Sequence, residues 1–326
     1  MEKILVTGGE GFIGSHLVEM LLEIGFRVKS LCLYNSFSDI GWLAEIRNRS
    51  NLEIVFGDVR DPKICDQITQ DVDGIFHLAA LIAIPYSYMA PRSYIDTNII
   101  GTQNICDSAL KNNVKKLITM STSEVYGTAQ KVPMSEEHPL QAQSPYSASK
   151  IAADSIAYSY CTSFGLPLTI ARPFNTFGPR QSRRAIIPTI ISQFLSGMDE
   201  IHVGEIQSTR DLTFVTDTCR GLIDLYKKSY FNGEIYNIGS NSEYSISQII
   251  EEVSKYFKRN LPIVQKNERM RPKKSEVMRL VCDYSKINSL SGFTPQVTLQ
   301  RGISETCQWM SQSHINAALQ QNSYGI

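Results

Sequence analysis

The chain carries no excess of either charge: Lys+Arg and Asp+Glu both total 32. A balanced protein has no broad field for holding nucleic acid or an anionic membrane, although a local basic pocket for one phosphate ligand is allowed. No apolar run is long enough to cross a bilayer. The seven cysteines are odd in number and widely spaced, and no C-x-x-C occurs. That argues against a disulfide framework or a structural zinc site and for a reducing compartment. The five histidines show no metal-ligand spacing, so no metal is expected. The first residues run straight into a strand-like segment, Lys3-Ile4-Leu5-Val6, rather than a signal peptide. A cytoplasmic protein with no nucleic-acid or membrane partner is the expectation. No internal repeat or low-complexity tract is visible.

What is present is rhythm. Short runs rich in Val and Ile predict strands at Lys3 to Thr7, Arg27 to Leu31, Leu52 to Phe56, Gly74 to Leu78, Lys116 to Met120 and Leu166 to Ala171. Helical patterns lie between them, at Phe12 to Ile24, Lys63 to Gln70, Tyr94 to Asn112 and Pro145 to Ser163. Nearly continuous apolar strands alternating with helices predict a parallel sheet covered on both faces. After Arg172 the rhythm breaks into mixed helices and short strands. The expected fold is α/β: a Rossmann-type doubly wound parallel sheet with a smaller mixed α/β substrate-binding lobe. The dinucleotide-binding domain is expected over 1–172 with a returning segment at about 211–238. The substrate lobe is expected over 173–210 and 239–314, and 315–326 reads as a flexible tail.

The first strand ends in Thr7-Gly8-Gly9-Glu10-Gly11-Phe12-Ile13-Gly14, and a helix pattern follows at once. Gly8, Gly11 and Gly14 give G-x-x-G-x-x-G. Glycine serves here because the turn is tight and the backbone must approach a pyrophosphate. The N–H groups of the helix start, at Phe12 and Ile13, then favour the anion. The position after a strand and before a helix is the context this motif requires. Asp58, followed by Val59, ends the third strand, where a carboxylate would accept an adenine amino hydrogen bond or, equally, cap the next helix. Leu78-Ala79-Ala80 ends the fourth strand with residues small enough for a cofactor to pass; His77 before them reads as packed. The acid that usually ends the second strand and binds the adenosine ribose is missing from Ser30-Leu31-Cys32-Leu33-Tyr34-Asn35-Ser36. No arginine stands there either, so NAD is favoured and NADP stays open.

Tyr146 and Lys150 stand at i and i+4 on one helix face. A phenol titrates near 10, so general-base work near neutrality needs a nearby cation. The fifth strand ends in Ser121-Thr122-Ser123-Glu124, at the sheet edge where doubly wound folds place ligands. The glycine pattern, the Ser/Thr strand end and Tyr-x-x-x-Lys, in this order, resemble the extended short-chain dehydrogenase/reductases, and within them the NAD-dependent epimerase/dehydratase family. The likeness runs to about Met310. It includes Thr97-Asn98-Ile99-Ile100-Gly101-Thr102, Arg172-Pro173-Phe174-Asn175 on to Arg180, Thr209-Arg210-Asp211 and Val215-Thr216-Asp217.

The resemblance implies roles. Tyr146 would take the proton of a sugar 4-hydroxyl while hydride leaves C4; Lys150 would tune Tyr146 and bind the nicotinamide ribose, and Thr122 would hydrogen-bond the same hydroxyl. Asn98 and Pro173 would line the cofactor. Asn175, Arg210 and Arg271 would bind the nucleotide diphosphate, arginine suiting that task by its fixed fork of donors. For Arg210 alone a surface salt bridge is the rival reading.

Sugar 4,6-dehydratases typically carry Thr-Asp-Glu where this chain has Thr122-Ser123-Glu124, so the base is present while a hydroxyl replaces the acid. Glu124 once protonated, or a water held by Ser123, would supply the proton. The same triplet occurs in UDP-glucuronate decarboxylases, where Arg180, Arg183 or Arg184 would face the substrate carboxylate, and a 4-epimerase is a further alternative. The stretches Ala79 to Tyr88, including Ser87 as a substrate contact, and Arg172 to Ile191 with Arg180 are similar to bacterial N-acetylglucosamine 4,6-dehydratases of the legionaminic acid pathway. Apolar Leu81 to Ile84 would meet an acetamido methyl or be core. A non-catalytic nucleotide sensor is disfavoured by the intact Thr122, Tyr146 and Lys150. The two long helices resemble a family dimer interface, with Ala148, Ala152, Ala153 and Ala157 allowing close packing in a homodimer.

Overall fold

The computed structural model describes residues 1–266, 268, 272 and 274–312. Arg271 and the tail expected over 315–326 lie outside the described residues.

Strands β1 (Lys3–Thr7), β2 (Arg27–Leu33), β3 (Leu52–Gly57), β4 (Gly74–His77), β5 (Lys116–Met120) and β6 (Leu168–Pro173) follow the predicted runs closely. Then come β7 (Asn175–Phe177), β8 (Ile201–Val203), β9 (Thr209–Phe214), β10 (Asn232–Ile238), β11 (Glu243–Ser245) and β12 (Ile263–Gln265). The helices are α1 (Phe12–Glu23), α2 (Pro62–Ile68), α3 (Ile84–Met89), α4 (Pro91–Tyr94), α5 (Gly101–Lys111) and α6 (Pro145–Phe164). Past β6 lie α7 (Ile186–Leu195), α8 (Val215–Lys228), α9 (Ile246–Phe257), α10 (Ser285–Ser291) and α11 (Leu299–Met310). The long pattern Tyr94 to Asn112 is not one regular helix: a π-helical turn, Ile95–Ile100, joins α4 to α5.

Seven strands form one parallel sheet in the order β10-β6-β5-β4-β1-β2-β3. Side-chain alternation divides its core. Ile4 and Val6 of β1 face α1 and α8 with Leu17, Leu21 and Leu222, while Leu5 faces α5 and α6 with Ile105 and Ala157. Both faces are covered, so the strands read as continuous apolar runs. The strand order reverses beside β1, which has β2 on one side and β4 on the other. A crevice at the carboxyl ends of β1 and β4 is therefore the expected ligand position.

Beyond β6 the chain builds a three-stranded sheet, β11-β9-β7, and a parallel pair, β12-β8. Two motif acids are scaffold here. Asp211 accepts from Ser240 N (2.8 Å), Ser240 Oγ (2.7 Å) and Cys282 N (3.0 Å). Asp217 accepts from Gln296 N and Val297 N, both at 2.9 Å. All seven cysteines are free. Among the described residues no cluster has the makings of a metal site, and no helix is long and apolar enough to cross a membrane.

Candidate active site

The glycine turn is tight for stated reasons. Gly8 has φ +71, and a Cβ there would lie 3.0 Å from the Ala79 backbone. A Cβ on Gly14 would lie 2.1 Å from the Gly8 carbonyl oxygen. The turn thus presses α1 onto β1 and leaves the surface open in front. Gly11 precedes the helix, and no side chain caps its start. The orphan N–H groups there suit a pyrophosphate, so the residues fit a dinucleotide.

Behind the turn, Thr7 Oγ1 accepts from Leu78 N and Ala79 N, both at 3.1 Å, and bonds His77 Nδ1 at 2.9 Å. His77 Nε2 lies 3.1 Å from Thr102 Oγ1, which donates to Asn98 O. The imidazole is thus packed and carries its proton on Nε2. Burial, with the Lys150 charge adding to it, pushes its pKa down to about 3. The unfolded chain takes up that proton below about pH 6.5, so stability falls as pH drops from there toward 3. This residue is expected to cost about 2–3 kcal/mol between about pH 7.5 and about pH 4.5. Urea titrations at the two pH values measure it, and His77→Asn should flatten the difference by that amount.

Asp58 does not cap α2; Asp61 does, accepting from Lys63 N and Ile64 N. The Asp58 carboxylate instead receives a fork from Arg60, which holds its pKa down. Val59 is core, and its carbonyl accepts from Asn104 Nδ2 at 2.9 Å. Asn98 brackets the loop after β4: Oδ1 accepts from Leu81 N (2.8 Å), and Nδ2 donates to Leu81 O (3.0 Å) and Ser149 Oγ (2.9 Å). Its place beside the cofactor crevice comes with a structural duty. Pro173 is buried at the end of β6, paired with Ile238.

Tyr146 and Lys150 occupy the first turns of α6, which Ser144 and Ser147 fix by a reciprocal capping box. Lys150 Nζ donates to Met120 O, the last carbonyl of β5, at 2.7 Å. Tyr146 is 7% exposed and hydrogen-bonds Thr122. Its ring meets Tyr94 edge-on, 6.2 Å between centroids, within a cluster containing Ile84 and Leu81. Burial raises the phenol pKa, the Thr122 bond opposes that, and the nearby Glu124 charge raises it further. Burial likewise lowers that of Lys150, against the Asp154 charge. The protein alone therefore holds the phenol protonated, and a further cation in the crevice would favour the phenolate. Thr122 Oγ1 accepts from Glu124 N at 3.2 Å, opening a single 3-10 turn, Ser123–Tyr126. Glu124 is 8% exposed, and its carboxylate has no ion-pair partner among the described residues. Ser123 is fully buried in the same turn.

One turn beyond Lys150, Asp154 Oδ2 accepts from Ser121 Oγ (2.7 Å) and from Arg172 Nη2 (3.0 Å) and Nε (3.2 Å). Arg172 continues to Tyr126 Oη at 3.1 Å, and Tyr126 to Asn237 at 2.8 Å. The pair is 2% and 8% exposed. Asp154→Asn removes the charge that balances a buried guanidinium and should cost about 3 kcal/mol in chemical unfolding. The Asp154→Asn, Arg172→Met double variant should recover part of it.

The substrate-side residues divide. Asn175 Oδ1 is buried with no partner among the described residues. Such an atom is costly unless a ligand or water completes it. Arg210 lies in β9, with Nη2 donating to Glu276 at 3.0 Å and Nη1 to Thr209 O. The expectation for Arg180 is corrected. Its guanidinium turns to α1, pairing with Glu19 at 2.8 and 3.0 Å and reaching Glu45 at 3.5 Å. Beside it His16 Nε2 donates to Pro179 O at 3.1 Å. A buried cation with two carboxylates is not free to meet a substrate. Ser87 is corrected too: it is fully buried, and its hydroxyl donates to Ile84 O within α3. The Leu81 to Ile84 segment is mixed, Ile84 packed against Tyr146 and Ile82 63% exposed.

A strap went unnoticed in the sequence. Ser275 Oγ donates to Gln143 O and contacts Tyr88 Oη, both at 2.5 Å, and Gln143 Nε2 donates to Lys274 O. It ties residues 274–275 over the start of α6.

A family model described as GDP-mannose 4,6 dehydratase matches residues 5–306. The chain belongs to this family. Among curated relatives, a dTDP-glucose 4,6-dehydratase of Actinoplanes sp. is 32% identical over 317 residues, covering 94% of this chain and 97% of that one. The crystal structure of the dTDP-glucose 4,6-dehydratase DesIV from Streptomyces venezuelae, solved with NAD, is 29% identical with a TM-score of 0.87, covering 96% and 98%. A UDP-glucuronic acid 4-epimerase from Bacillus cereus, solved with NAD and UDP-glucuronic acid, is 27% identical with a TM-score of 0.88, covering 95% and 99%. Dehydratases and epimerases thus share this fold, so the family does not choose between the reactions.

The outer face of α6 in this family member also departs from expectation. Ala153 and Ala157 are buried against their own sheet; Ala148 is exposed and Ala152 half-buried, with Tyr158 and Phe164 exposed farther along.

Proposed function

We propose that the protein is an NAD-dependent nucleotide-sugar 4,6-dehydratase acting in the cytoplasm on a nucleotide-linked N-acetylglucosamine. The observation that carries this reading is Glu124, a buried carboxylate with no ion-pair partner among the described residues and close enough to Tyr146 to raise its pKa. An epimerase has no use for a base at that place, whereas water loss across C5–C6 requires one. NAD, when bound, accepts the C4 hydride and returns it. Tyr146 takes the proton of the 4-hydroxyl, with Thr122 sharing that hydrogen bond. Lys150, anchored on Met120 O, would hold the nicotinamide ribose beside Tyr146, and the positive nicotinamide would favour the phenolate. Glu124 removes the C5 proton, made acidic by the C4 ketone. Protonated by that step, Glu124 then serves the C6 leaving group, since Ser123 is buried and a hydroxyl is a poor acid.

Asn175, whose oxygen has no partner among the described residues, and Arg210 face the nucleotide diphosphate, and exposed Ile82 offers apolar surface for an acetamido methyl. A legionaminic-type amino-sugar route is part of the same proposal, supported by the likeness of Ala79 to Tyr88 and Arg172 to Ile191 to N-acetylglucosamine dehydratases of that route. For decarboxylation, the Arg180 charge is already met by Glu19 and Glu45, so that rival rests on Arg183 or Arg184. We further propose a homodimer built on the exposed face of α6 and the π-helical turn before α5, where Tyr158, Phe164 and Ile100 lie. Sedimentation at micromolar concentration should give twice the chain mass, and a monomer would reject it.

Incubation of UDP- and GDP-N-acetylglucosamine with enzyme and NAD, followed by mass analysis, tests the reaction. A loss of about 18 Da, one water, is expected from one of them. An unchanged mass with a new 4-epimer by NMR would reject the dehydratase, as would carbon dioxide release from UDP-glucuronate alone.

A further inference from the structure

The second strand of the sheet ends without the acid that ordinarily reads the adenosine ribose, yet a carboxylate is present at that strand end from elsewhere in the chain. Glu10 stands inside the glycine turn, and its Oε1 accepts the Leu33 N–H, the last of β2, at 2.8 Å. The segment beyond β2 folds back over Glu10 and holds it. Trp42 N donates to Glu10 O at 3.2 Å, and Gly41, at φ +54, lies so close that a Cβ would stand 2.6 Å from that oxygen. Asn35 organises the fold-back, its Oδ1 accepting from Phe37 N and Asp39 N while Nδ2 donates to Leu33 O and Asp39 O. Glu10 Oε2 is buried and has no hydrogen-bond partner among the described residues.

The charge of the surroundings points one way. From Leu33 to Ile46 there is no Lys or Arg, while Asp39 and Glu45 are both acidic. A 2′-phosphate brought to the end of β2 would meet the carboxylates of this segment and no Lys or Arg belonging to it, and Arg180, which reaches Glu45, is already held by Glu19. We propose that Glu10 is the residue by which this protein selects NAD over NADP, a carboxylate delivered to the end of β2 from the glycine turn instead of from the strand itself. It acts by two routes. It fixes the strand end against the turn that cradles the pyrophosphate, and it places negative charge where the extra phosphate of NADP would lie. The inference rests on the dinucleotide reading of the glycine turn.

Calorimetric titration of NAD and NADP into the purified full-length protein tests it without reference to turnover. The wild type should bind NAD the more tightly. Glu10→Gln keeps an acceptor for the Leu33 N–H and removes the charge. It should narrow the NAD-to-NADP affinity ratio by about tenfold, mainly through tighter NADP binding, with the melting temperature little changed. Glu10→Ala, which also releases the strand end, should narrow the ratio as much and weaken NAD binding besides. A wild type that prefers NADP, or a Glu10→Gln ratio equal to that of wild type, overturns the role of Glu10 and leaves the dinucleotide site standing. A wild type that binds neither dinucleotide overturns the site itself.

Discussion

Replacing Glu124 by Gln should reduce water loss by about 10²–10⁴-fold, the usual contribution of one positioned acid or base. The amide matches the carboxylate in shape, so the short turn from Ser123 to Tyr126 and its bond from Glu124 N to Thr122 should persist. Oxidation at C4 uses Tyr146 and Thr122 and should survive in part. Two signals separate the steps: absorbance of reduced nicotinamide should accumulate to about one equivalent per site, and deuterium from solvent should no longer enter C5. An enzyme that still dehydrates at the wild-type rate would remove Glu124 from the chemistry and with it the case against an epimerase.

Tyr146→Phe should stop the reaction earlier. The phenol is the proton acceptor in the first step, so both C4 oxidation and C5 exchange should fall, again by about 10²–10⁴-fold. The ring contacts with Tyr94, Ile84 and Leu81 are kept. Only the hydroxyl and its bond to Thr122 are lost, worth about 1 kcal/mol of stability. A folded protein with neither accumulated reduced cofactor nor exchange is the expected phenotype. Exchange at the wild-type rate would show that another group opens the reaction.

The central sheet was legible because burial on both faces forces apolar residues at nearly every strand position, as in β4 and β6. The glycine turn was legible because two of its positions demand glycine, Gly8 by its positive φ and Gly14 by a Cβ position 2.1 Å from the Gly8 carbonyl oxygen. What escaped were matters of direction. Arg180 looks like a substrate-binding cation by type, but the positive φ of its backbone belongs to a turn whose side chain reaches back to Glu19 on α1, 161 positions earlier. Ala153 and Ala157 share composition with the outer alanines, yet a helix packed on a sheet buries one face only, and theirs is that face. Asp58 and Asp61 are equally good caps by residue type, and the Arg60 fork captures the first. Glu10 carried no signal at all, because its partner is a main-chain amide at the end of another strand.

The central sheet is not closed by the strands that come first in the chain. Its edge beside β6 is covered by β10, and 64 residues lie between Pro173 and Ile238. At synthesis rates of about 5–20 residues per second, the Leu168–Pro173 edge waits several seconds for its neighbour. During that interval a nascent chain exposes unpaired amides along an apolar strand, a template for pairing with other chains. Ribosome-bound chains ending before Asn232 are therefore the state in which this protein is most prone to aggregate and most in need of a chaperone.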